Sequence, residues 1–356
     1  MTLYLLLAAS PLILTPIINS YYRSSVNTDL RARKALLFWF GLFLFVMIAF
    51  RSRYLGSTDS LNYYNNWALL RGMSFSRLGS YLETAQMEKG YLVTVWLLSH
   101  IFHNPQFVFV FSGLFFTFAI CRFVYKYSPN PALSLVMFVT INGYSFFVQG
   151  LRQSVAMCIC LMSIEFCRQR KLLKFVLTVL IASLFHQTAI VFLVVYFLYG
   201  FIMNAKMYGV IAALGIILIM FSSQLTNIAN SLFGMEYDGA FESGGYITSL
   251  VHIVILAVAI IFAYQKRYDK DYTFFIMMGA LGFFTYILRY MNTSIAERIS
   301  FYFIFGRMIF LPSVVENFDK KGKIVMNAAI IGFSIALFIY HMSSSNLVPY
   351  YFFWQK

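Results

Sequence analysis

Apolar runs of membrane length recur from one end of the chain to the other, and none alternates with the period of two expected of a strand with one face in lipid. Each run is bounded by lysines, arginines or a short polar stretch. The pattern predicts helices, which satisfy their own backbone polar groups inside the bilayer. Spans are expected at 2–20, 35–50, 106–121, 131–148, 152–167, 172–185, 188–203, 207–222, 247–264, 272–289, 298–315 and 324–342, about twelve in all. The stretch 90–103, "GYLVTVWLLSHIFH", is also apolar, but it rises only ~21 Å against a hydrocarbon core of ~30 Å. It is expected to be a re-entrant or interfacial helix. The predicted fold is an all-α polytopic membrane protein forming a single integral membrane domain over residues 1–356.

Composition agrees: 60% of the 356 residues are hydrophobic and 11% charged. The net charge of +14 would suit a nucleic-acid partner if it formed one basic stripe, but it is spread over short loops, as in a positive-inside topology. The segments 21–35, 122–130, 168–174, 204–206, 265–271 and 316–323 hold 17 of the 27 lysines and arginines and are expected to face the cytoplasm. The four cysteines, Cys121, Cys158, Cys160 and Cys167, lack metal-ligand spacing and read as packing residues. The first twenty residues carry no basic leader and read as a first span, not a cleaved signal.

The basic residues outside those segments are mostly arginines: Arg51, Arg53, Arg71, Arg77, Arg152, Arg289, Arg298 and Arg307, with Lys89 and Lys356. Arginine presents a planar fork of donors that matches phosphate oxygens and stays charged where water is scarce. An outward-facing anion site is implied, although Arg51, Arg53, Arg71 and Arg77 could equally snorkel to the interface. Two polar stretches, 51–89 and 223–246, are long enough to be outer lids over such a cavity. Both mix aromatics with acids and amides, which suits sugars, and an aromatic belt at the membrane surface has the same composition.

Arg152 and His186 form the sharpest pattern. Counted outward from the basic turn 168–171, both rise ~23–24 Å along two antiparallel helices and reach the same height in the outer part of the bilayer. Residues 172–203 as one straight helix would be ~48 Å long, so a break is expected at the polar "HQT" of 186–188. Non-helical backbone at that depth needs protein or water beside it, which implies a hydrated pocket. Arg152 would stand at a helix N-terminus, where an anion is favoured, with Gln153 adding donors. The competing readings are a buried carboxylate paired to Arg152 and a satisfied core histidine.

A second cluster, "RYMNTSIAER", contributes Arg289, Asn292 and Arg298, with Glu297 able to neutralise one of them. Candidate bases are Asp59, Glu83, Glu88, Glu236, Asp238, Glu242 and Glu297. Asp59 and Glu88 flank the aromatic lid near Tyr63, Tyr64 and Tyr91. The "DKD" of 269–271 has the look of a metal pair but reads more simply as a solvated turn. No nucleotide loop or His/Cys metal spacing is present, so neither metal nor other cofactor is expected.

Asp59 with Tyr63, "EKGY" at 88–91, "LRQSVA" at 151–156, "FHQTA" at 185–189, "ERISFYF" before Pro312 and the closing "NLVPYYFFW" together resemble the EpsG family of Wzy-type polymerases over nearly the whole chain. The resemblance implies a GT-C-like membrane glycosyltransferase at the periplasmic face of the bacterial inner membrane. It would transfer a growing glycan from undecaprenyl diphosphate onto an undecaprenyl-diphosphate-linked repeat unit. A flippase and a chain-length regulator are the partners it implies. Within that reading Asp59, Glu88, Arg152 and His186 are the catalytic candidates. Arg51, Tyr63, Tyr64, Tyr91, Gln153, Arg289, Asn292 and Arg298 are the substrate-binding ones. An oligosaccharide-lipid flippase and an O-antigen ligase are the alternatives.

Overall fold

The computed structural model describes residues 1–23, 28–56, 58–141, 143–200, 268–287, 294–343 and 345–355, with single positions at 213, 217, 221, 224, 228 and 231. These residues are helical, without a named strand. They form two compact units: Met1–Met162 with Leu184–His186 and Asp319–Lys356, and Ser163–Ser183 with Gln187–Phe318.

The first unit starts with α1 (Thr2–Tyr22) and α2 (Thr28–Ala49), packed on each other. A polar segment follows with α3 (Thr58–Arg71) and α4 (Phe75–Thr84), then the short apolar α5 (Lys89–Ile101) against which α3 packs. Next come α6 (Phe107–Tyr127), α7 (Pro131–Thr140), α8 (Gly143–Gln149) and α9 (Leu151–Arg168), whose last turns belong to the second unit. Asn130 starts α7 by accepting the Leu133 N–H at 3.2 Å, with Pro131 at its first position where no donor is needed. The closing helix Lys320–Ser343 packs on α7.

The last residues, 345–355, strap the polar segment down. Ser52 N–H donates to Tyr351 O at 2.9 Å, Phe353 N–H to Phe50 O at 2.9 Å, and Tyr350 Oη to Met47 O at 3.0 Å. The closing "NLVPYYFFW" is therefore structural here. Beneath it Arg51 is 1% exposed, its guanidinium 4.0 Å from the Phe109 ring centroid, with Nη1 donating to Leu55 O at 3.1 Å and Ser60 Oγ at 2.9 Å. Those bonds tie the start of α3 to the end of α2.

In the second unit α10 (Leu172–Ser183) is followed by a 3₁₀ segment, Gln187–Val194, and α11 (Val195–Leu198). The break lies at 184–186, next to the expected "HQT". The rings of Phe192 and Phe303 stack at 6.1 Å, and Thr188 Oγ1 donates to Tyr302 Oη at 3.3 Å. Arg168 grips Asp271 with two donors, while Asp269 Oδ1 accepts the N–H groups of Asp271 and Tyr272 at 3.0 Å. The "DKD" thus ends an ion pair and caps the helix Lys270–Ile287, and no acid/His/Cys group fit for a metal occurs among the described residues.

Five helical stretches among the described residues are long and apolar enough to cross a membrane: α1, α2, α6, Arg298–Val315 and Lys320–Ser343. The pair α7 and α8, bent by 50°, makes a sixth if taken as one span. This supports an all-α membrane protein, and the described residues do not by themselves show the count of about twelve. Counting apolar runs treats every run as a crossing, but α10 has 12 residues, ~18 Å, and α9 carries Arg152, Glu165 and Arg168. The expected span 247–264 lies outside the described residues, as does nearly all of 207–222. The stretch 90–103 is indeed short, as the 13 residues of α5.

Candidate active site

Four side chains from separated parts of the chain meet within the first unit. Gly150 separates α8 from α9 and starts the α9 ladder, its carbonyl accepting the Ser154 N–H at 2.8 Å. Arg152 therefore sits in the first turn of α9, where backbone N–H groups have no helical acceptor. Its backbone N–H and its guanidinium both engage the Tyr63 hydroxyl. Its Nη1 donates to Glu88 Oε2, while Nε has no partner.

Glu88 is the residue before α5, in extended conformation at φ −61° and ψ 134°, and its carboxylate makes no cap bond to its own helix. That carboxylate turns inward, with Oε2 at Arg152 and Oε1 at 4.0 Å from His186 Nδ1. The side chains of Glu88 and His186 are 7% and 3% exposed and that of Arg152 is 21%, so the acid and the imidazole are buried behind a cation that reaches solvent. One carboxylate is shared between a guanidinium and an imidazole.

The approach of α5 to the break depends on Gly90. The Gly90 N–H, left over at the start of α5, donates to the Leu184 carbonyl, left over at the end of α10, at 3.0 Å. A Cβ on residue 90 would stand 2.6 Å from Leu184 Cβ and 2.7 Å from Leu184 O. Gly90→Ala is expected to force the two backbones apart at a cost of about 1–3 kcal/mol and to separate Glu88 from His186. Gly79, whose added Cβ meets nothing within 4 Å, supplies the control. Thermal unfolding measured on both variants checks this: Gly90→Ala loses stability and Gly79→Ala does not.

Tyr63, 3% exposed, lies one turn past Ser60 on α3, so the Arg51–Ser60 bond sets where it points. Burial raises its phenol above the ordinary range while the Arg152 charge opposes, which leaves a neutral hydroxyl at physiological pH. The Tyr91 ring meets Tyr63 edge-on at 5.7 Å, and the buried Tyr91 hydroxyl has no hydrogen-bond partner.

The other expected residues fall as follows. Asp59 is half-buried one turn before Tyr63 and acts on it through its charge. Tyr64 turns to Arg53, whose guanidinium lies 5.0 Å from its ring. Arg51 supports α3 from a buried position. Gln153 is 2% exposed beside Arg152. Arg298 is half-buried on the helix Ser294–Phe301 of the second unit. Arg289, Asn292 and the lid 223–246, apart from three single positions, lie outside the described residues. Sequence reasoning missed Gly90, although "EKGY" places a glycine two residues after Glu88.

A family model described as "EpsG family" matches residues 34–353. No curated protein and no solved structure matches the chain.

Proposed function

Because the chain belongs to the EpsG family, a family of Wzy-type polymerases, we propose that it is a polysaccharide polymerase acting on polyprenyl-diphosphate-linked sugars. It transfers the growing glycan from undecaprenyl diphosphate onto an undecaprenyl-diphosphate-linked repeat unit at the outer face of the inner membrane, in a GT-C-like architecture. The observation that carries the reading is the Glu88 carboxylate held between Arg152 and His186.

The reaction needs a cation for the diphosphate and a base for the attacking hydroxyl. Arg152 supplies the cation, at a helix N-terminus that adds to the attraction for phosphate. When a phosphate takes the Arg152 fork, Glu88 loses that partner and its other oxygen closes the 4.0 Å gap to His186 Nδ1–H. The Nε2 of a histidine so oriented accepts the proton from the acceptor sugar hydroxyl. The hydroxyl oxygen then bonds to the anomeric carbon while the bond to the diphosphate breaks. The electron pair leaves with the diphosphate, whose charge Arg152 stabilises. A single displacement of this kind inverts the anomeric centre. The Tyr91 hydroxyl, buried beside Tyr63, leaves a hydrogen bond unfilled next to the cluster.

Purified protein given a lipid-linked repeat unit is expected to form a ladder of oligomers still attached to lipid. Translocation of the unit across a vesicle with no new glycosidic bond would reassign the protein to the flippases. Transfer only onto a non-repeat acceptor would make it a ligase.

A further inference from the structure

A second site lies on the first unit, away from the Arg152 cluster. Helices α2 and α6 pack antiparallel: Cys121 Sγ donates to Leu37 O at 3.4 Å, Gly41 faces Thr117, and Gly113 faces Ile48. Along one side of the pair runs an open groove of about 650 Å³. Its floor is made of small residues, Gly41, Thr117 and Cys121, and its walls include Phe38 and Phe118, 63% and 58% exposed. The groove is apolar except at one end, where Lys34 of α2 and Arg122 of α6 line it together.

Those two cations are exposed, and no ion pair among the described residues engages them. The neighbouring Arg33 is differently placed: its Nη2 donates to the Val124, Tyr125 and Ser128 carbonyls, closing the end of α6, and its guanidinium lies 5.5 Å from the Tyr125 ring. An Arg–Tyr pair at a helix end is where a membrane surface is met. From Lys34 to Phe45 the groove runs ~16 Å, which is one leaflet's share of a ~30 Å hydrocarbon core.

We propose that this groove binds one anionic phospholipid, an acyl chain lying along the valley and the phosphate held between Lys34 and Arg122. Its length fits an ordinary acyl chain ending at mid-bilayer, whereas a polyprenyl chain far exceeds it. The charged end also lies ~25 Å along α2 from Arg51, where the lid and the Arg152 cluster begin. The lipid is therefore a resident of the opposite leaflet and not the sugar donor, and the inference stands whether or not the polymerase reading does.

Native mass spectrometry of the purified full chain, titrated with phosphatidylglycerol and phosphatidylcholine of the same acyl chains, tests this. Two basic groups facing an anionic headgroup predict a preference for phosphatidylglycerol of about thirtyfold. Lys34→Gln with Arg122→Gln is expected to abolish the preference while keeping the wild-type unfolding midpoint in phosphatidylcholine, since both residues are exposed. Arg71→Gln, an equally exposed charge on α3, is expected to retain it. Equal binding of the two lipids by wild type, or a preference that survives in the double variant, would overturn the proposal. So would displacement of the lipid by glycerol 3-phosphate at equal concentration, which would mean a phosphate site without a seat for the chain.

Discussion

Arg152→Ala is expected to lower polymer formation by about 10²–10³-fold, the usual loss when one donor to a developing anion is removed. Arg152→Lys should fall nearly as far, because a point-like ammonium cannot keep Tyr63 and also present two parallel donors to a phosphate. A purely structural arginine would also lose activity, through instability. Its removal strands the Glu88 carboxylate, 7% exposed, and breaking a buried pair costs about 3–5 kcal/mol. The double variant Arg152→Ala with Glu88→Gln separates the two explanations. Neutralising the stranded acid restores the unfolding midpoint under either account, but the double variant matches the activity of Glu88→Gln alone only if Arg152 served Glu88 and nothing else. Ladder assays and thermal unfolding on these variants and on Glu88→Gln decide it, and the expected result is a stable double variant whose activity lies well below that of Glu88→Gln.

Much of this site could be read from the chain before any coordinates, because it follows from helix rise alone. Arg152 opening one apolar helix and "FHQT" interrupting the next are consequences of where polar residues fall in runs too long or too short for a bilayer. The choice among acids was not legible that way. Asp59 and Glu88 are equally polar and equally near aromatics in sequence, and only the packing of α5 against the 184–186 break places Glu88 beside Arg152 and His186. That packing depends on Gly90 having no side chain, a steric fact invisible to periodicity.

The surroundings of Arg51 were not legible either. Its type suggested a ligand contact, yet Phe109, Leu55 and Ser60 absorb it in supporting α3, and the strap 345–355 covers it. The number of crossings was not legible, because apolar content does not distinguish a crossing helix from a short or broken one. α9 is the clearest case, a long helix whose charged residues belong to the site at one end and to the Asp271 pair at the other.

Replacing His186 with alanine is expected to cost about 10²–10⁴-fold in kcat, the range for loss of a positioned general base, with little change in donor binding. Glu88→Gln gives the more discriminating outcome. In the ligand-free arrangement Glu88 occupies Arg152, so the donor diphosphate must displace it. A neutral amide competes less well for the guanidinium, and the donor should bind the variant at least as tightly as wild type. The same amide orients and stabilises a protonated His186 poorly, so kcat should fall toward that of His186→Ala. KM for the donor is thus expected to stay level or drop as kcat drops, a combination that loss of a mere structural ion pair would not produce. If Glu88→Gln instead raises KM with kcat intact, the carboxylate serves only to hold Arg152 in place, and His186 acts without it.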